Sequence, residues 1–145
     1  MKILTRQFGE IEVDDAKILF MPYGLAGFEG FEKFVLLENP KTSPFCWFQS
    51  IEEPNLSLIV MNPFLFKPDY QVDLDEFIKI LNWQEVTAKD LLMFVVVNVR
   101  GRGQGQTITA NLIGPLIVNP KNKEAAQIII SDTAYSHQHN VLESL

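Results

Sequence analysis

The sequence has few of the residues that build covalent staples and metal centres. It holds one cysteine, Cys46, and two histidines, His137 and His139, in 145 residues. A lone thiol excludes a disulfide within the chain and suits a reducing compartment. Basic charge is also scarce: 12 Lys and Arg stand against 18 Asp and Glu, a net charge of −6. The deficit is uneven. Residues 1–76 carry 13 of the acids and 6 of the bases, a net of −7, while the rest is at +1. Acidic surfaces repel phosphate backbones, so direct nucleic-acid binding is disfavoured. A basic protein partner would be attracted instead. Long apolar runs are missing too. No window approaches the ~18 apolar residues of a membrane-spanning helix. "MKILTRQFGEIEVDD" at the N-terminus has no apolar stretch of signal-peptide length. The expectation is one cytoplasmic domain, 1–145, monomeric when free.

What the sequence does hold is a rhythm of short β-branched and aromatic runs separated by Gly, Pro, Asn and Asp. "GEIEV" alternates, with Ile11 and Val13 on one face and Glu10 and Glu12 on the other. Similar runs follow: "AKILFM", "KFVLLE", "FCWFQS", "LSLIVMN", "LLMFVVVNV", "TITANL", "PLIVN" and "AAQIIIS". One stretch differs. In "DLDEFIKIL", Asp73 precedes Glu76 by three, a capping arrangement, and Leu74, Phe77, Ile78 and Leu81 fall at helical spacing. A short helix near 73–82, ended by Asn82, is expected to plug one end of the sheet structure. Gly114–Pro115 interrupts a strand-like stretch, and a bend there would let a sheet curl. The fold expected is mainly β. It is a small antiparallel β-barrel or strongly curled sandwich of about ten short strands with one short helix.

"VRGRGQGQT" superficially suggests a phosphate cradle. Its glycines, however, are spaced G-x-G-x-G and lead into "TITANL", a strand pattern, whereas a dinucleotide loop opens a helix whose amides bind the anion. The loop reads as a hairpin turn. The two histidines lie in "SHQHN", read as a polar tail after the last strand with no third metal ligand. Cys46 is flanked by aromatics, as a small buried hydrophobe would be. Asp14-Asp15 and Glu52-Glu53 are adjacent, point to opposite faces of any strand, and read as turn markers. No catalytic set, cofactor site or metal site emerges.

"MNPFLFKPDYQVDLDE", 61–76, mixes Phe64, Phe66 and Tyr70 with Asp69, Asp73, Asp75 and Glu76. Aromatics beside acids can form a patch for a basic partner. The same pattern also fits aromatics facing the core and acids facing water. As a surface, it would be formed by Asp69, Tyr70, Asp73 and Glu76, supported from below by Phe64 and Phe66.

Four blocks carry a family likeness: "TRQFGEIEV" (5–13), "MPYGLAGFEGFEKFVLLE" (21–38), "PFCWFQSIEEPNLSLIVMNPFLFKPDY" (44–70) and "TANLIGPLIVNPKNKEAAQIII" (109–130). In this order the chain resembles the FliW family of bacterial flagellar assembly factors. Ala26 departs from the family's usual proline, and the glycine-rich loop is more basic than usual. The resemblance implies a non-enzymatic β-barrel-like protein with two alternative partners. One is flagellin; the other is CsrA, a basic RNA-binding regulator that represses flagellin translation. A different reading of the same composition is a small barrel that takes an apolar ligand in its lumen, lined by some of the 11 Phe and two Trp.

Overall fold

The structure is a computed structural model that describes residues 1–131 and 134–142. Its described strands begin with a separate hairpin, β1 (Lys2–Thr5) and β2 (Gly9–Glu12). The main sheet contains β3 (Leu19–Phe20), β4 (Lys33–Glu38), β5 (Cys46–Ser50), β6 (Ser57–Met61) and β7 (Leu92–Arg100). It continues with β8 (Thr107–Ala110), β9 (Leu116–Asn119), β10 (Glu124–Gln127) and β11 (His139–Asn140). Hydrogen bonding runs β7-β6-β5-β4-β3-β10-β9 and returns from β9 to β7, so the strands close a ring. β8 and β11 branch from β7 outside that ring. All pairings are antiparallel except one bridge, where Phe20 of β3 meets Glu124 of β10 in parallel.

The ring closes through the bend expected at Gly114–Pro115. One edge of β7 takes β8 along Val97–Arg100 and β9 along Leu92–Phe94. Residues 111–115 bulge out between them. Asn111 Oδ1 fixes the bulge by accepting from the N–H groups of Ile113 and Gly114 at 3.0 and 3.1 Å.

Period-two alternation then sorts the side chains. Phe34, Phe48, Val60, Leu116 and Val118 share one buried cluster, and the Phe34 and Phe48 rings stack with centroids 4.6 Å apart. Their strand neighbours pack outward under three covers. The β1–β2 hairpin lays Ile3 and Val13 on Val35. Residues 62–72 and the C-terminal strand cover Met61, Val95 and Val97. The helix covers Ile117 and Ile128.

That helix, α1 (Leu74–Ile80), lies on the outer face and does not plug an end. Its stripe of Leu74, Phe77, Ile78 and Leu81 meets Ile117, an outward residue of β9. Asp73 Oδ1 accepts from the Glu76 N–H at 3.1 Å. Asn82 takes φ 57°. Its N–H bonds the Lys79 carbonyl and Trp83 N–H bonds Ile78, a paired C-terminal lock with Trp83 folded onto the helix.

Most observed strands start or end within a residue or two of the expected runs, and three depart further. In "AKILFM" only Leu19–Phe20 is strand, because Asp14 caps a 3₁₀ turn at Asp15–Lys17. In "AAQIIIS" the strand stops at Gln127, and Ile128 and Ile130 donate instead to the carbonyls of Pro115 and Ile113 in the bulge. β11 carries no strand signature. His139 lies within it, opposite Ala110, rather than in a tail beyond the last strand.

The glycine-rich stretch is the expected hairpin loop between β7 and β8. Gly101 sits at φ 80°, and a Cβ there would stand 2.5 Å from the Gly105 carbonyl oxygen. Glycine is thus required for backbone closure, with no ligand needed to explain it.

Candidate protein-interaction surface

The segment joining β6 to α1 is shaped by turns rather than by strand alternation. Asn62 Oδ1 accepts from Phe64 N–H at 2.9 Å and starts a single 3₁₀ turn, Pro63–Leu65. Lys67 N–H then donates to the Pro63 carbonyl, and Tyr70 N–H to that of Lys67. Successive turns throw Phe64 outward and Phe66 inward. Phe66 is 2% exposed, with its ring 5.6 Å from that of His139.

Tyr70 is the anchor. It is 3% exposed, its ring meets Tyr135 edge-on at 4.9 Å, and its hydroxyl donates to the Leu112 carbonyl. Burial, with Tyr135 beside it, pushes the phenol well above its ordinary range. Tyr135 in turn accepts from Gln71 N–H at 2.9 Å. The segment is therefore tied to the bulge and to the C-terminal strand at once.

The expected roles of two aromatics are exchanged. Phe64, placed beneath the surface by the sequence, is 42% exposed, its ring 6.2 Å from that of Tyr70. Tyr70, expected to face a partner, is core. Asp69, Asp73 and Glu76 are exposed as expected. Asp69 is not a free charge: the half-buried Lys67 ammonium stands 3.1 Å away and holds its carboxyl below the usual carboxylate range. Asp73 is committed to its helix cap. The sequence also gave no weight to Leu65 and Ile80, both largely exposed. Only the direction of the 3₁₀ turn reveals Leu65.

Elsewhere the chemistry is quiet. Burial pushes the Cys46 thiol up, and the Glu38 carboxylate adds to the shift, so the thiolate is disfavoured. Among the described residues no cluster of three or more His, Cys, Asp or Glu could hold a metal ion. No helix among them is long and apolar enough to cross a membrane. The ring interior is filled at its centre, where Phe34, Met21 and Val60 have no exposed surface. A cleft of about 690 Å³ opens where β4 faces the starts of β7 and β10.

A closed β ring with three apolar covers and an acid-bearing turn segment defines a class of small, mainly β scaffold proteins. The family model described as FliW protein matches residues 2–141, and the chain belongs to that family. It is 42% identical to the flagellar assembly factor FliW of Treponema denticola, over 100% of this chain and 96% of that protein. The Treponema pallidum protein of the same name is 36% identical, over 100% of this chain and 94% of its own length. A crystal structure of the flagellar assembly factor FliW superposes with a TM-score of 0.84 at 31% identity, covering 97% of this chain and 96% of that one. The family places this chain among flagellar assembly factors.

Proposed function

We propose that this protein is a cytoplasmic titration device that binds flagellin and CsrA in alternative complexes. Free of flagellin, it captures CsrA and relieves repression of flagellin translation. As flagellin accumulates, it occupies the protein and CsrA returns to its RNA. No catalytic step is involved. The chain-long match to flagellar assembly factors carries the reading. The acid excess of residues 1–76 supports it, since a basic regulator is steered towards such a surface.

Mutual exclusion requires that each partner lower the affinity for the other by the same factor. Asp69, Asp73 and Glu76, with Phe64, form the surface assigned to the basic partner. Phe66 and Tyr70 hold it from within.

The test uses a variant that removes charge without removing the helix cap. Asn caps as well as Asp, so Asp69→Asn, Asp73→Asn and Glu76→Gln are combined. Stopped-flow association with CsrA should slow, most at low salt. Calorimetric titration of CsrA should fail when the protein is saturated with flagellin. Simultaneous binding of both partners would refute the exchange. Unchanged association would remove the acidic segment from it.

A further inference from the structure

We propose that the cleft beside β4 is a strand-acceptor site that takes an extended peptide segment of a partner protein, added antiparallel to β4. The observation is an unpaired strand edge inside a cleft whose lining is part apolar and part charged. Backbone groups of an antiparallel strand alternate between its two edges. The Lys33 carbonyl accepts from Ile51 N–H on the β5 side, whereas the Glu32 carbonyl accepts from Met21 N–H on the β3 side. Residues 34, 36 and 38 therefore present N–H and C=O away from β5. Phe34 finds Leu19 there, but β3 ends at that pair. The chain before it turns away into the 3₁₀ turn at Asp15–Lys17. Among the described residues, no backbone group meets Leu36 or Glu38 on this edge.

The side chains match the backbone opening. Leu19, Leu36, Leu92 and Val118 line the cleft, and Leu92 is 48% exposed although its strand faces the core there. About 690 Å³ lies within the range of built ligand sites. Glu38 follows Leu36 on the same face, and Glu12, Asp14, Lys17 and Lys123 also stand on the lining, so charge of both signs borders the apolar part of the cleft. A flat apolar molecule would fill the volume but leave the amides unmet. A single strand satisfies both the ladder and the apolar lining. A peptide residue opposite Leu36 would point its side chain into the ring mouth and its N–H at β4. The peptide should therefore alternate, apolar side chains inward.

The site is separate from the acidic segment, and its test uses neither flagellin nor CsrA, so the two readings fail independently. The probe is the capped peptide Lys-Val-Thr-Val-Thr-Val, followed on the intact protein by amide and methyl NMR. In the free protein, Leu36 and Glu38 amides should exchange faster than those of Val35 and Leu37. The probe should shift the Leu36 and Glu38 amides and the methyls of Leu19, Leu92 and Val118. It should also slow exchange at those two amides by about tenfold or more. N-methylation of the three valines should abolish these effects, and N-methylation of the threonines should spare them. Leu92→Lys, at an exposed position, should keep the spectrum of a folded protein and weaken the probe by about tenfold. Equal binding of the valine-methylated peptide would make the cleft a site for apolar small molecules and overturn the proposal. Shifts produced by concentrating the protein alone would make the occupant a second copy, with the same consequence. Absence of any shift at Leu36 and Glu38 would also overturn it.

Discussion

The ring and the segment from Asn62 to Ile80 are built from similar residues by different rules. In the ring, strand pleat alone decides which side chain enters the core. Phe34 and Leu36 go in, Val35 and Leu37 go out, and both sets are apolar because the outer face is covered too. In the segment, a side chain's direction depends on where a turn falls and on a hydrogen bond to a distant strand. Tyr70 is inside because Leu112, 42 residues away, offers it a carbonyl. Phe64 is outside because Asn62 starts a turn two residues earlier. Local pattern governs the first region and tertiary contact the second.

The largest test of that contrast is in the ring. Phe34→Ala removes one ring of the Phe34–Phe48 stack from a site with no exposed surface. It should destabilise the fold by about 3–5 kcal/mol in a urea titration, through lost burial and the cavity left behind. In the segment the two aromatics should separate by role. Tyr70→Phe leaves the buried Leu112 carbonyl without its donor and should cost about 1–3 kcal/mol. Phe64→Ala, at a half-exposed position, should stay within about 0.5 kcal/mol. If Phe64 proved as costly as Tyr70, the exchange of roles described above would be wrong.

This contrast also explains how much the sequence reveals. The apolar, β-branched and aromatic runs "KFVLLE" and "LSLIVMN", the bend at Gly114–Pro115 and the helix from Asp73 are all local signals, and each stands in the structure. Ring closure is not local. It depends on β7 offering one edge to two strands in turn, which no short window can reveal. β11 is two residues long and owes its existence to pairing with β8, so His139 could only look like tail. The helix was legible, but its docking face was not. An apolar stripe says that something is covered, not what. In the acidic segment, Asp69, Asp73 and Glu76 follow from composition, while the Lys67 ammonium that neutralises Asp69 is a matter of geometry.

A smaller effect separates charge from hydrogen bonding at the junction of the segment and α1. Asp73→Ala removes the acceptor for Glu76 N–H and should cost about 1 kcal/mol, read by thermal or urea unfolding. Asp73→Asn keeps an acceptor and should recover most of that loss. Equal destabilisation by both substitutions would assign the effect to charge at the helix start rather than to the cap.

The smallest effect compares two carboxylates held low for different reasons. Glu52 accepts from the N–H groups of Glu32 and Lys33 at 2.9 and 3.0 Å, at the entry to β4, and these bonds lower its pKa. Asp69 is lowered by the Lys67 ammonium in the segment. Each folded pKa lies below the unfolded value, so each contribution is fully present above the unfolded pKa, about 4 for these groups. It is lost as pH falls through the folded pKa. Glu52→Gln and Asp69→Asn should therefore each flatten the acid limb of stability against pH below about 4. Salt distinguishes them. Backbone amides are fixed dipoles in contact with Glu52, whereas Lys67 and Asp69 form a pair open to water on the Asp69 side. Raising salt should shrink the Asp69 contribution and leave that of Glu52 nearly unchanged. If both vanish together, the Glu52 contacts at the ring are no firmer than a surface ion pair, and the contrast between the two regions fails at its acidic end.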